Sequence, residues 1–237
     1  MRLLLISNST NAGEGYLEHA RGHIRDFLGG KVKTVLFVPY AAVSFSYDEY
    51  QEKVQKRFDE FDVKVDPLHK YAHADKKKAV EQAEAIVVGG GNTFHLLKML
   101  QQEKLIEVMR HAVLNGTPYV GWSAGSNVAC PTICTTNDMP ITEPENFHAL
   151  NLVRFQINPH YLDAHPDGHA GETREMRIKE FLVVNPYIYT VGLREGTMFL
   201  IENGQIKLLG EKKARIFQGD EQPLELAPGD DFDFLFE

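Results

Sequence analysis

Four short runs in the first 130 residues are apolar at nearly every position: Leu3–Ser7, Thr34–Pro39, Ala85–Val88 and Tyr119–Trp122. A strand with one wet face alternates apolar and polar residues. A run that is apolar on both sides must be covered on both, as parallel strands between two helix layers are. The intervening segments carry the helical period instead. Tyr47, Tyr50, Val54, Phe58 and Phe61 recur at spacings of three and four, and so do Leu17, Ala20, Ile24 and Leu28. Leu97, Leu100, Leu105, Val108 and Ala112 continue the pattern across a helix–helix junction. This alternation predicts βαβ units with right-handed crossovers, and so an α/β fold with a mostly parallel sheet flanked by helices.

Beyond residue 131 the texture changes. Pro131–Asn158 is irregular, broken by Pro140 and Pro144. A helix is expected over Glu172–Val183, with Ile178, Phe181 and Leu182 on its apolar side. After it come β-type runs at Tyr189–Leu193, Met198–Ile201 and Gln205–Leu209, the last two joined by an Asn203-Gly204 hairpin signal. The tail alternates Phe232, Phe234 and Phe236 with Asp231, Asp233 and Leu235, which suits an edge strand or a mobile end equally. No repeat, low-complexity linker or long charge block divides the chain, so residues 1–237 are expected to form one domain with a C-terminal β-hairpin region.

The charge balance narrows the partners. Twenty-five Lys and Arg stand against 33 Asp and Glu, a net charge of −8. Nucleic acids and anionic membranes both demand a positive footprint, so neither is an expected partner. The apolar run Leu3–Ile6 is too short for the core of a signal peptide, and no stretch approaches the roughly 20 residues of a membrane span. Cys130 and Cys134 have neither the number for a disulfide framework nor a C-x-x-C spacing, and are expected to be buried thiols in a reducing, cytoplasmic setting.

Chemistry concentrates at Tyr119-Val-Gly-Trp-Ser-Ala-Gly-Ser-Asn127. Its centre, Gly121-Trp122-Ser123-Ala124-Gly125, is a G-x-S-x-G pentapeptide between a predicted strand and a short helix of small residues. A serine on so sharp a strand-to-helix turn projects its hydroxyl outward, and the following amide can face a developing oxyanion. The bland alternative is a glycine-rich turn whose serine merely caps the helix. A second run, Ala85-Ile-Val-Val-Gly-Gly-Gly-Asn-Thr93, leads a strand into three glycines whose amides can approach something negative. It lacks both G-x-G-x-x-G and the P-loop Gly-Lys-Ser/Thr, so a nucleotide cradle is the weaker reading.

A serine nucleophile needs a base, and histidine order constrains the fold. The ten histidines end at His169. An α/β-hydrolase places its acid before a His that usually comes late in the chain; here there is room for the order Ser, His, acid, which argues against that fold. Of His148, His160, His165 and His169, His160 has the most suggestive context. It sits in Phe155-Gln-Ile-Asn-Pro-His-Tyr161, an apolar run that Asn158-Pro159 is expected to stop, just past a strand's carboxyl end where active-site groups gather. His160, Asp163, His165, Asp167 and His169 also admit a metal reading, but Pro166 and Gly168 mark a loop and no helical face aligns them. No metal is expected.

Gly121–Asn127, Pro131-Thr132 with Thr135-Thr-Asn-Asp-Met-Pro-Ile141, Ile157-Asn-Pro-His160 and Gly171-Glu-Thr-Arg-Glu175 together resemble the peptidase E family of α-aspartyl dipeptidases. The opening Leu-Leu-Leu-Ile-Ser-Asn-Ser-Thr and the Val-Gly-Gly-Gly-Asn-Thr run match as well, so the resemblance covers nearly the whole chain. It implies a fold of the class I glutamine amidotransferase-like, flavodoxin-like type. It implies hydrolysis of dipeptides with a free N-terminal aspartate, by a monomer or homodimer without metal or organic cofactor. Ser123 is then the nucleophile and His160 the general base. Asp138 and Glu195 each match a family acid; Glu195 is favoured as the group orienting His160, while Asp138 is kept as essential and could equally contact the substrate's ammonium. Gly91 and Ala124 match the oxyanion donors, and Arg174 the partner of the substrate's β-carboxylate. On residue type alone, Arg174 could instead pair on a helix surface with Glu172, Glu175 or Glu180. Arg194 stands where the family can carry Pro, and a cation there would lower the pKa of Glu195 if close enough. The alternatives are a related serine hydrolase of another acidic amide or ester, and a non-catalytic module binding a small anion at the Gly89–Gly91 helix start.

Overall fold

The computed structural model describes residues 1–163 and 171–236. Strands β1 (Leu3–Ile6), β2 (Thr34–Val38), β3 (Lys64–Pro67), β4 (Ile86–Val88) and β5 (Tyr119–Trp122) pair in parallel. Helices α1 (Arg21–Leu28), α2 (Tyr47–Phe58), α3 (His73–Glu81), α4 (Thr93–Gln102) and α5 (Ile106–Leu114) alternate with them. Five further strands follow after β6 (Gln156–Tyr161) and α7 (Arg174–Val184): β7 (Thr190–Arg194), β8 (Met198–Glu202), β9 (Gln205–Leu209), β10 (Ala214–Phe217) and β11 (Leu224–Leu226). The main sheet runs β3-β2-β4-β5-β1-β8-β9, its β8–β9 hairpin antiparallel to the rest. A second sheet runs β11-β10-β7-β6.

The doubly apolar strands sort their side chains as a sandwiched sheet requires. On one face, Leu4 and Ile6, Val35 and Phe37, Val87, and Val120 and Trp122 pack with α1 and α2. On the other, Leu3 and Leu5, Leu36 and Val38, Ile86 and Val88, and Tyr119 pack with α3, α4, α5 and the inner residues of β6 and β7. The second sheet thus covers the same face as three of the helices. Helix ends follow local chemistry. Ser46 and Glu49 form a capping box at the start of α2, and the Asn92 side chain accepts the His95 N–H at the start of α4.

Several expectations require correction. The helix predicted from Leu17 begins only at Arg21, because Leu17 has a left-handed backbone (φ 54°) that breaks the period. The helix expected from Glu172 starts at Arg174, with Thr173 as its cap. The short strands β3, β10 and β11 were not legible; β3 is a four-residue edge strand carrying Lys64 and Asp66. Asn158-Pro159 does not stop β6, which continues to Tyr161. Cys130 is buried, but Cys134 is exposed.

The tail is neither strand nor mobile end. Asp233–Phe236 forms a 3₁₀ turn, with Phe232 and Leu235 fully buried against Phe199 and the second sheet. The Asp233 carboxylate accepts the Ile206 N–H, tying the turn to β9. Among the described residues, no helix is long and apolar enough to cross a membrane. Because Phe232 fills a closed part of the core, Phe232→Ala is expected to lower stability by about 3–5 kcal/mol, read as a lower urea midpoint. A peripheral tail would leave that midpoint unmoved.

Candidate active site

The carboxyl ends of β2, β4, β5 and β1 lie side by side, and the site is assembled there. Ser123 follows β5 and occupies the N-cap position of the four-residue helix α6 (Ala124–Asn127), without a side-chain capping bond. Its backbone is strained (φ 52°, ψ −114°), at a cost of order 1–3 kcal/mol for a non-glycine residue. Neighbouring contacts hold it there. The Ser123 N–H donates to the Ile6 carbonyl at 3.0 Å, and the Ser126 hydroxyl lies 2.7 Å from the Ile6 carbonyl and 2.9 Å from that of Gly121, sharing its one proton between them. A Cβ at Gly125 would collide with the Val88 carbonyl, so only glycine lets the turn press this closely onto β4.

His160 reaches Ser123 from the other sheet. Between Asn158 and Tyr161, β6 advances three residues (161 − 158) while β7 advances two (194 − 192). The extra residue is a β-bulge, and His160 occupies it with φ 54°. Proline at 159 has no N–H to offer the ladder, so the interruption leaves no donor stranded there. The bulge is held from two sides: Asn137 Nδ2 donates to the Pro159 carbonyl at 2.6 Å, and the His160 N–H donates to Ser7 Oγ at 3.0 Å.

The imidazole bridges two side chains. Nε2 lies 2.9 Å from Ser123 Oγ, and Nδ1 lies 2.7 Å from Glu195 Oε1. An ionised carboxylate only accepts, so Nδ1 carries the proton and Nε2 presents its lone pair to the serine hydroxyl. Glu195 follows β7, in a turn fixed by Asn8, whose Oδ1 accepts the Gly196 N–H at 2.8 Å. Arg194 adjoins Glu195 but does not point its side chain at it. Its guanidinium turns to Asp163 and Glu225 and donates to the Lys213 carbonyl, and these carboxylates hold its pKa above the ordinary value.

Asp138 stands elsewhere. One carboxylate oxygen accepts from the Thr93 N–H at 2.7 Å, the Thr93 hydroxyl at 2.6 Å and the Thr136 hydroxyl at 3.2 Å. It therefore closes the N-terminus of α4 and does not touch His160. Arg174, half-buried at the first turn of α7, feels Asp138 electrostatically; burial and then Arg177 lower its pKa, and Asp138 opposes them. The surface ion pairs imagined for Arg174 are made by other cations: Glu172 pairs with Arg177, and Glu175 with Lys179 and Arg215.

Gly91 and Ala124 flank the serine. Gly91 has φ 137°, and a Cβ there would overlap the Ala41 carbonyl. A Cβ on the adjacent Gly90 would stand 2.9 Å from that of Ser123. Among the described residues, neither the Gly91 nor the Ala124 amide donates to a protein acceptor. Of the residues considered for a metal, His165, Asp167 and His169 lie outside the described residues; His160 and Asp163 are engaged with Glu195 and Arg194. His148 bridges to Thr132, away from Ser123.

A hydroxyl, an imidazole and a carboxylate in one hydrogen-bonded line, beside two free amides, meet the requirements for general-base activation of a nucleophile. Residues 3–209 match the model of peptidase family S51. The chain belongs to peptidase family S51. A peptidase E from a Nostoc strain is 54% identical over 236 residues, covering 100% of this chain and 97% of that protein. Peptidase E of Salmonella typhimurium is 46% identical over 232 residues, covering 98% and 100%. Among solved structures, a peptidase from an acI-B1 actinobacterium superposes with a TM-score of 0.71 at 16% identity, covering 98% and 96% of the two chains. A Listeria monocytogenes protein assigned to peptidase E gives 0.59 at 21%, covering 95% and 98%. At those identities the structural likeness establishes the fold, a mixed α/β architecture with a mostly parallel central sheet.

Ser7 and Asn8 were missed as site residues by sequence reasoning. Their only signal is a polar pair placed directly after a fully apolar strand. Ser7 is fully buried, accepting from His160 and donating to the Leu193 carbonyl at 2.7 Å. Ser7→Ala in this S51 peptidase leaves the buried Leu193 carbonyl and the His160 N–H without that partner. It is expected to cost about 1–3 kcal/mol in chemical denaturation, whereas replacing exposed Ser44 should cost nearly nothing.

Proposed function

We propose that this S51 peptidase is a serine dipeptidase that removes aspartate from the N-terminus of dipeptides, with Ser123 as nucleophile. The observation that carries the reading is the continuous line Ser123–His160–Glu195. His160 takes the serine proton as Ser123 attacks the scissile carbonyl, then returns it to the leaving amine. Glu195 holds the imidazole tautomer and stabilises the imidazolium. The Gly91 and Ala124 amides receive the tetrahedral oxyanion, a contribution of about 3–4 kcal/mol for each donor in comparable sites. Water then repeats the sequence on the acyl-enzyme and releases aspartate.

Substrate selection falls to Arg174 and Asp138. The Arg174 guanidinium offers a bidentate partner for the β-carboxylate, and Asp138 supplies nearby negative charge for the α-ammonium. The names of the Nostoc and Salmonella relatives accord with a peptidase of this type. The anion-binding alternative loses its support at the Gly89–Gly91 helix start. There the Asp138 carboxylate already occupies the Thr93 amide, and Asn92 occupies that of His95.

Ser123→Ala is expected to reduce Asp-Leu hydrolysis by at least about 10⁴-fold without altering the circular dichroism spectrum; substantial retained turnover would refute the reading. Arg174→Ala is expected to lower kcat/KM about 10–100-fold on Asp-Leu, from loss of charge-assisted hydrogen bonds, with little change in the reaction of Ser123 with a small sulfonyl fluoride. A panel of α-aspartyl, isoaspartyl and glutamyl dipeptides tests the substrate class. Faster isoaspartyl cleavage would favour a related hydrolase over the one proposed.

A further inference from the structure

Tyr50 lies on α2, outside the Ser123–His160–Glu195 line, yet its buried hydroxyl touches the backbone beside the nucleophile. Trp122 Nε1 donates to the Tyr50 hydroxyl at 3.0 Å, and Tyr50 donates to the Gly90 carbonyl at 2.9 Å. Tyr16 donates to the same phenolic oxygen at 3.4 Å. The direction of this chain is chemically forced. An indole N–H can only donate, a carbonyl can only accept, and a phenol has a single proton. With Trp122 and Tyr16 on its lone pairs, Tyr50 delivers that proton to Gly90.

The Gly90 carbonyl and the Gly91 N–H are opposite ends of one planar peptide unit. A donor on the oxygen increases the polarity of the unit, and chains of hydrogen bonds reinforce one another in a low-dielectric interior. The same bond fixes the plane of a peptide between two glycines, which would otherwise rotate easily. On its far side the Asn92 N–H donates to the Ala41 carbonyl at 2.8 Å, completing a clamp. Phe37 and Phe45 hold the Tyr50 ring edge-on, with centroids 5.1 and 5.2 Å away. A Cβ at Gly89 would lie 2.6 Å from the Tyr50 oxygen, so a side chain there would expel the phenol. Burial pushes the Tyr50 pKa up to about 12, which keeps it a neutral donor across physiological pH.

We propose that Tyr50 is a positioning residue of the oxyanion hole: it fixes and polarises the Gly90–Gly91 peptide, so that the Gly91 N–H is held ready for the oxyanion formed on attack by Ser123. Trp122, the residue immediately before the nucleophile, starts the chain and couples the β5 turn to the oxyanion peptide. The inference rests on the serine-peptidase reading of Ser123.

Tyr50→Phe keeps the ring and deletes the proton. In the full-length protein, kcat and KM on an aspartyl p-nitroanilide and the second-order rate of Ser123 phosphonylation by diisopropyl fluorophosphate are measured together. The P=O group of that reagent uses the same oxyanion donors. The kcat is expected to fall about tenfold, less than the 10²–10³ seen on removing a direct donor. KM should stay within twofold, phosphonylation should slow by the same factor as kcat, and the acid limb of the pH profile should not move. Trp122→Phe removes the donor upstream and should lower both rates by a smaller factor; if Tyr50→Phe does not fold, this variant decides by the same criteria. Wild-type rates in the variants, a loss confined to KM, or a fall in kcat that phosphonylation does not share would each overturn the proposal. Slowed phosphonylation in a protein that does not cleave the aspartyl anilide would support Tyr50 while refuting the substrate class. Absence of Ser123 phosphonylation in the wild type would overturn both.

Discussion

The nucleophile belongs to one sheet, and the imidazole and carboxylate belong to another; they meet because Ser7 locks the two sheets together. Its hydroxyl accepts from the His160 backbone and donates to the Leu193 carbonyl, so the end of β1 binds β6 and β7 at once. A second tie lies behind it, where Asn127 of α6 donates to the Ile157 carbonyl at 2.8 Å. The Ser7–Leu193 and Asn127–Ile157 bonds are buried, where an unpaired polar group is costly. They therefore act as geometric constraints and hold the 2.9 Å contact between Ser123 and His160.

Strain is concentrated where these constraints meet. Ser123 and His160 both adopt positive φ, and each is held by contacts from outside its own element. Ser123 is gripped by the last carbonyl of β1 and the close approach of Gly125 to β4. His160 is gripped by Ser7 and Asn137. Neither conformation is one its own segment would choose, so an isolated strand–turn–helix peptide would relax out of it.

Charge sets a further condition. A protein of net charge −8 does not draw an acidic dipeptide by long-range attraction. Recognition of an aspartyl substrate would have to rest on local groups, the role proposed for Arg174 and Asp138. Arg194, the other cation near the site, is saturated by Asp163 and Glu225. It serves instead to brace β7 against the end of β6 and against β11.

Much of the architecture was legible because it follows from local pattern. The four doubly apolar runs became β1, β2, β4 and β5, and the Asn203-Gly204 signal became the β8–β9 hairpin. Ser123 was legible from its glycines, and His160 from its place at the end of an apolar strand-like run. What was not legible depends on partners distant in the chain. The alternation of Phe232, Phe234 and Phe236 mimics a strand, but a pocket beside Phe199 turns it into a 3₁₀ segment. Arg194 adjoins Glu195 in sequence, yet Arg194 ends β7 while Glu195 lies in the turn after it, and Arg194 pairs with residues 31 positions away on either side. The choice between Asp138 and Glu195 could not be made from spacing, since both acids follow Ser123 at plausible distances.

By itself, then, the sequence determined the α/β layering, the sharp turn at Ser123 and the set of polar residues from which a site could be drawn. Period-2 and period-3.6 burial and the steric demand for glycine are properties of neighbouring residues. Only the tertiary structure decided which acid faces His160, that a one-residue bulge swings His160 toward Ser123, and that Ser7, Asn8 and Tyr50 support the site from outside it. Hydrogen bonds such as that between Asn8 and Gly196, 188 positions apart, depend on how distant segments dock, and no local pattern encodes that geometry.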